Sequence, residues 1–288
     1  MIVYCSKPGQ LGNRLFLFGT LAAFSREYGV RIMNVAFDEY AQFFPAFEKD
    51  IFCRYPLKTS LFRGNFFRNI LYRWYYYLGR FLLKAGIGGR MLKAHSIDWH
   101  EKQNMDDPAF VSLAKQTRLL LIQGWEYRCP DTFIKHAPFI RELLTPAEKY
   151  LEAGRELVRK LRNGSRVVIG IHIRHGDYVK FEGGKYFYSF RQYAEKMREM
   201  EKLFAGKQVA FVVCSNVAVD RNEFAGLDIS PGPGHFVEDL YALSMCDYLA
   251  GPPSTFTLWA SFYGRVPLYM IKDSEMNPSL ADFTVATD

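Results

Sequence analysis

Residues 169–184 read IGIHIRHGDYVKFEGG, and the reading of this stretch decides the fold. It opens as an apolar run and closes in glycine. Side chains alternate across a strand, so Ile169, Ile171 and Ile173 share one face while Gly170, His172 and Arg174 share the other. Residues 166–173 are therefore expected to form a core strand. His172 and Arg174 would project together near its carboxyl end. Gly176 permits a sharp turn there, and Asp177 can orient the turn or the arginine. An arginine so placed suits bidentate binding of a phosphate. The plain alternative is an Arg–Asp pair that closes the strand end. Two polar groups on one face of a buried strand are costly without a partner, which favours a ligand.

The pattern on either side alternates strand and helix. Before the stretch, residues 2–5 read as a strand, KPGQLGN (7–13) as a glycine-containing loop, and 11–28 as a helix capped by Gly29. A strand is expected at 31–37, a helix around 66–83, a strand at 119–123 and a charged helix at 145–161, opened by Thr145-Pro146. RNGS (162–165) reads as a linker. After the stretch come a helix over 189–204 with Ser189 and Gln192 as a capping box, a strand at 208–214, and a helix at 236–246. A strand at 248–251, a helix at 254–263 and a strand at 266–271 complete the order. Such alternation implies parallel sheets covered on both faces. The expected fold class is α/β, with one domain over 1–163 and a second over 164–288 meeting at a cleft. Ligands bind such sheets outside the carboxyl ends of their strands.

Composition narrows the classes. The chain has 288 residues, of which 49% are hydrophobic, enough for a sizeable core. No apolar run approaches the roughly 18 residues of a membrane span. MIVYCS lacks a basic region ahead of its apolar residues and reads as a first strand, not a secretory signal. Cys5, Cys53, Cys129, Cys214 and Cys246 are widely spaced and contain no Cys-x-x-Cys pair, so neither a disulfide framework nor a zinc site is expected. Buried reduced thiols in a cytoplasmic protein fit better. The net charge of +7 is local. Between Asp50 and Asp98 there is no acidic residue, while Arg54, Lys58, Arg63, Arg68, Arg73, Arg80, Lys84, Arg90 and Lys93 all fall there. The basicity thus belongs to one segment and not to a nucleic-acid-binding surface.

Three further stretches lie where strands end or the next helices begin. GQLGN (9–13) precedes a helix whose first amides favour an anion. GPPSTF (251–256) offers Ser254 and Thr255 as caps or as donors to a phosphate. EDLYALSMCDY (238–248) puts Asp239 in a first helical turn. There it can complement the helix dipole or read the N1 and N2 donors of a guanine. Together they describe a cleft lined with anion donors and one carboxylate.

These residues, in this order, resemble the α1,2-fucosyltransferases. HIRHGDY (172–178) is similar to their H-x-R-R-G-D-Y signature, and GQLGNRLF (9–16) to their G-x-x-G-N-Q-x-F loop. LLIQGWEYRCPDTF (120–133) resembles their G-Y-W-Q-S-x-x-Y-F element, and residues 239–264 their C-terminal D-L-x-L-M-S-x-C block with the serine-rich turn after it. Only the H-x-R-x-G-D element is fairly specific alone; the ordered set is much more so. The resemblance implies two facing Rossmann-like domains of the GT-B type, with GDP-fucose as donor substrate and a glycan as acceptor. It also implies inversion at the anomeric carbon without a required metal. By motif, Arg174 would hold the diphosphate and stabilise the departing GDP, His172 would contact the nucleotide, and Asp239 would read guanine. Ser254, Thr255 and Phe256 would line the β-phosphate end, with Gly12 and Asn13 approaching from the N-terminal domain. Glu182, by its offset from His172, or Asp177 would deprotonate the acceptor. Three departures stand out: His175 replaces a second arginine and is expected to replace it in part below neutral pH; Arg14 replaces a glutamine; and the serine-rich turn is altered.

Two other readings compete. Arg174-His175-Gly176 is also the tripeptide of the histidine phosphatases, with His175 as nucleophile and His235 as second histidine. Alternatively the chain binds a nucleotide sugar without catalysis, having lost the second arginine. Finally, residues 66–84, FFRNILYRWYYYLGRFLLK, read as a helical insertion in the N-terminal domain, within the basic aromatic stretch 54–93. They suit contact with an anionic membrane, as at the inner face of the cytoplasmic membrane beside a lipid-linked acceptor.

Overall fold

The computed structural model describes residues 1–163 and 166–287. The chain divides into two compact units, residues 1–147 and 148–287.

The first unit contains β1 (Ile2–Tyr4), α1 (Leu11–Tyr28), β2 (Ile32–Asn34), α2 (Pro45–Glu48), β3 (Arg54–Tyr55), α3 (Asn65–Ala85) and β4 (Leu92–Ser96). It continues through β5 (Lys102–Asn104), α4 (Pro108–Gln116), β6 (Leu119–Gln123), β7 (Glu126–Arg128), α5 (Pro130–Lys135) and α6 (Ala137–Leu143). The main sheet runs β3-β2-β1-β6-β4; β5 and β7 pair separately. Helix α1 ends where expected, with Gly29 left-handed at φ 69° and its N–H bonded to the Ser25 carbonyl. The strand expected at 31–37 stops at Asn34 and turns into a 3-10 segment, Val35–Phe37. The turn drives Phe37 into the core, 4.9 Å from the Phe18 ring.

The basic segment is not an insertion. It supplies both edge strands, β3 and β4, and α3 between them. Tyr72, Tyr75, Leu78 and Leu82 of α3 pack on Val3, Met33 and Leu121 of the sheet. The sequence hid this because its apolar residues lie on both sides of the helix, not one.

The second unit contains α7 (Lys149–Leu161), β8 (Val167–Ile173), α8 (Phe190–Leu203), β9 (Val209–Ser215) and β10 (Ile229–Pro231). Then follow α9 (Phe236–Leu243), β11 (Tyr248–Gly251), α10 (Thr255–Gly264) and β12 (Leu268–Met270). The sheet order is β10-β9-β8-β11-β12, with every pairing parallel. The quoted stretch thus forms the central strand. Ile169, Ile171 and Ile173 pack with Tyr193, Met197 and Met200 of α8. The capping box starting α8 is present, with Ser189 and Gln192 bonded reciprocally. On the opposite face, a Cβ at Gly170 would lie 2.7 Å from Leu243, so this glycine lets α9 approach the sheet.

The domain boundary lies earlier than the expected 163/164. Helix α7 packs on α9, where Gly154 stands so close to Ala242 that a Cβ would meet it at 2.8 Å; the helix therefore belongs to the second unit. It starts at Lys149 and not at Thr145-Pro146, because the Ala147 N–H bonds the Phe43 carbonyl in the first unit. The expected linker falls partly on residues 164 and 165, outside the described residues.

Candidate active site

The carboxyl end of β8 gathers most of the singled-out residues. His172 is 4% exposed, and its ring lies 4.8 Å from that of Phe256. Its Nδ1 is 3.4 Å from the Thr257 hydroxyl. Gly251 leaves room for it, since a Cβ there would sit 3.1 Å from the His172 Cβ. Burial, then the charge of Arg174, hold the His172 pKa down to about 3, so the imidazole is neutral. On the other side of β8, His172 pairs in register with Cys214 of β9. The Cys214 thiol lies 3.8 Å from the Asp239 carbonyl. The end of β8 thus meets the segment after GPPS directly and the first turn of α9 through its neighbour β9.

Arg174 follows the strand. Its Nε and Nη2 donate to the two Asp177 oxygens at 3.0 and 2.9 Å. Its guanidinium lies 5.4 Å from the centre of the Tyr178 ring. The Arg–Asp pair considered as the plain reading is therefore present, and it fixes the plane of the guanidinium. Asp177 orients the arginine. Both Asp177 oxygens are thus engaged by the arginine, whereas Glu182 lies on a separate segment.

Glu182 sits in the 3-10 segment Phe181–Gly184, exposed and left-handed at φ 49°, ψ 39°. The preceding Phe181 ring stacks on Tyr178 at 5.0 Å, which ties this loop to the arginine's loop. A non-glycine residue in this region carries backbone strain.

Asp239 is buried, and its Oδ1 accepts from the Gly234 N–H at 2.8 Å. Burial raises its pKa above the ordinary aspartate value. Gly232 crosses directly beside it: a Cβ there would lie 2.6 Å from Oδ1 and 2.5 Å from the Cys214 sulfur. The PGPG turn needs this glycine for that close approach. Ser254 caps α10 by accepting from the Phe256 N–H at 3.2 Å, and Thr255 is the first residue of that helix.

His175 does not occupy an arginine's role. Its Nε2 donates to the Tyr188 carbonyl at 2.7 Å, and its ring packs 4.7 Å from both Phe187 and Phe190. The imidazole anchors the loop to the start of α8. This also counts against the phosphatase reading, because the proposed nucleophile is engaged in structure. His235, the proposed second histidine, caps α9 through Nδ1, accepting from the Val237 N–H.

Gly12 and Asn13 lie in the first unit, at the start of α1. Gly9 precedes them at φ 55°, and a Cβ there would meet the Asn13 amide at 1.9 Å. The Asn13 Oδ1 is buried without a hydrogen-bond partner. Arg14 is internal: Nε donates to the Pro8 carbonyl at 2.9 Å and Nη1 to the Ala36 carbonyl. It braces the loop against the segment after β2.

Two residues escaped the sequence reading. Asn216, just beyond β9, grips the His175 backbone, accepting from its N–H at 2.9 Å and donating to its carbonyl at 3.3 Å. Nothing local in the sequence marks it. Tyr178 was visible as the last letter of HIRHGDY, and its hydroxyl donates to the Pro253 carbonyl. It joins the arginine's loop to the GPPSTF turn. Among the described residues, no three His, Cys, Asp or Glu side chains gather as a metal-binding group.

Two α/β units built on mainly parallel sheets, one with a strand end bearing a fixed guanidinium, a helix N-cap and a carboxylate nearby, define a protein of the Rossmann-like class. A family model, "Glycosyl transferase family 11", matches residues 117–278, and the chain belongs to that family. The match includes the β8, α9 and α10 stretches. Galactoside alpha-(1,2)-fucosyltransferase 2 of Rattus norvegicus is 31% identical over 184 residues, 58% of this chain. The chain spans about half of that relative's length (48%). Among solved structures, FUT1 of Arabidopsis thaliana in complex with GDP superposes at a TM-score of 0.55 with 15% identity, covering 94% of this chain and 70% of that one. Fucosyltransferase NodZ from Bradyrhizobium gives 0.54 with 15% identity, covering 94% of each chain. NodZ soaked with GDP-fucose gives 0.53 with 14% identity, covering 98% of this chain and 96% of that one. The fold class is thus the GT-B type expected from the sequence.

Proposed function

We propose that this chain transfers fucose from GDP-fucose to a glycan hydroxyl, with inversion and an α1,2 linkage. The observation that carries the reading is the gathering of His172, Arg174 and the Ser254 cap at the end of β8, with Asp239 beside the end of the adjacent β9. Membership of family 11 supports it, as does the name of the rat relative, a galactoside alpha-(1,2)-fucosyltransferase, which also suggests a galactoside as acceptor. Asp239 reads the guanine, and neutral His172 hydrogen-bonds the nucleotide. Arg174, its plane held by Asp177, faces the diphosphate. Ser254 and Thr255 add donors from the start of α10, where amides favour an anion.

The acceptor oxygen attacks the anomeric carbon as its proton passes to the Glu182 carboxylate. The carbon–oxygen bond to the β-phosphate breaks, and its electron pair leaves on GDP. Attack from the face opposite the leaving group inverts the centre. Arg174 stabilises the charge that grows on the phosphate, which is leaving-group catalysis by a fixed cation and needs no metal. Gly12 and Asn13 are assigned to donor or acceptor contact by their motif. The five free, buried thiols support a reducing, cytoplasmic setting, and the acceptor is proposed to be lipid-linked.

The test is a thermal-shift panel with GDP, GDP-fucose, GDP-mannose, UDP-glucose and inorganic phosphate. A ligand at 100 times its dissociation constant adds about 2.7 kcal/mol to stability. Shifts with GDP and GDP-fucose but not UDP-glucose support the reading. A shift with phosphate alone overturns it.

A further inference from the structure

Helix α3 presents an apolar face that no described residue covers. Its inner side rests on the sheet through Tyr75, Gly79 and Leu82. On the outer side stand Phe66, Ile70, Trp74, Tyr77 and Phe81, each between 49% and 73% exposed. At about 100° per residue these five fall within roughly 80° of arc, one continuous stripe along the helix. Leu61 and Phe62, both exposed, extend it at the amino-terminal end.

Arg73, Arg80 and Lys84 are exposed and follow on one flank of the stripe, within roughly a further 40°. Exposed Arg63 and Arg90 stand at its two ends. No acidic residue occurs between Asp50 and Asp98, so no carboxylate of the segment offsets these charges. Among the described residues, no helix is long and apolar enough to cross a membrane. A soluble partner's core would be served by the stripe alone; the unopposed row of cations beside it calls for a surface dense in negative charge. Aromatic rings flanked by arginine and lysine match the boundary between acyl chains and anionic headgroups.

We infer that α3 is an interfacial anchor that lays Phe66, Ile70, Trp74, Tyr77 and Phe81 into an anionic lipid bilayer, with Arg73, Arg80 and Lys84 at the headgroups. This goes beyond the transfer reading and does not depend on it. Exposed anchors explain why the helix keeps five large apolar residues in water when three turns of its inner face suffice to cover the sheet.

The experiment is cosedimentation of the full chain with phosphatidylcholine vesicles and with mixed phosphatidylcholine–phosphatidylglycerol vesicles, at low and high salt. The wild type is compared with the double variant Trp74→Glu, Phe81→Glu, both exposed positions. Expected are at least about tenfold tighter binding to the anionic vesicles at low salt, a decline at high salt, and loss of at least about tenfold in the variant. The variant should keep the wild-type melting temperature and the thermal shift with GDP, which separates a lost anchor from a lost fold or donor site. Absence of binding, equal binding to neutral vesicles, or full binding by the variant overturns the inference. So does a wild-type dimer in light scattering that the variant loses, which would give the face to a second copy. A wild type that binds vesicles but shows no GDP shift would overturn the transfer reading and leave this one standing.

Discussion

Replacing Asp239 with Asn separates recognition from stability at one atom pair. In the wild type, Oδ1 already accepts from the Gly234 N–H at 2.8 Å, so only the remaining acceptor capacity is left for the proposed contact with a base. An Asn keeps that carbonyl for Gly234 and places an NH2 group where guanine presents its own donors. The loss is then that of a single charge-assisted hydrogen bond, about 1.5–3 kcal/mol, or about 10- to 150-fold in GDP affinity. Stability should move the other way. Burial raises the Asp239 pKa, so the charged form is disfavoured in the folded state. A folded pKa above the unfolded one contributes stability that is fully present below the unfolded value and is lost as pH rises through the folded value. The Asn variant carries no such dependence. It should melt at or above the wild-type temperature at neutral pH, with the difference shrinking as pH falls toward the ordinary aspartate range. Isothermal titration with GDP and ADP, beside melting curves from acid to neutral pH, measures both effects. If the variant keeps its fold and binds GDP within twofold of the wild type, Asp239 does not read guanine. If ADP affinity falls as much as GDP affinity, the residue shapes the pocket and reads nothing.

Arg174→Lys keeps the charge but loses the planar fork that Asp177 holds, and should lower kcat/KM by about 10²- to 10³-fold with little change in melting temperature; near-normal turnover would remove Arg174 from the chemistry. His175→Arg restores the residue of the resembling family but breaks the bond to the Tyr188 carbonyl and the packing against Phe187 and Phe190. It should cost about 1–3 kcal/mol in chemical denaturation and bring no gain in rate, whereas a gain in transfer would revive the reading of an enzyme disabled by loss of that arginine. Tyr178→Phe removes the hydroxyl bond to the Pro253 carbonyl. A drop of about 0.5–1.5 kcal/mol is expected in stability, together with a fall in kcat larger than any rise in KM; unchanged kinetics would show that the two loops do not need this tie.

Much of the second unit was legible because its signals are local. The pattern over residues 166–173 marked a core strand, Ser189 and Gln192 announced α8, and Ser254 announced α10; strand period, capping and turn chemistry act within a few residues. The same holds for the grouping of HIRHGDY, EDLY and GPPSTF at strand ends, which follows from how parallel sheets are connected. What the sequence could not decide were matters of who lies beside whom. The role of His175 depends on Tyr188, Phe187 and Phe190 reaching it from the start of α8. Asn216 becomes a clamp only because β9 lies next to β8. Asp177 and Glu182 were both open as the base in the sequence, and only the structure shows that Arg174 bonds both oxygens of Asp177. The apolar residues of α3 were visible from the start, but their division into a packed side and an exposed stripe needed the sheet beneath the helix. Local sequence sets backbone geometry and the chemistry on offer. Burial and partnership are properties of contacts between distant residues, and only the tertiary structure brings those together.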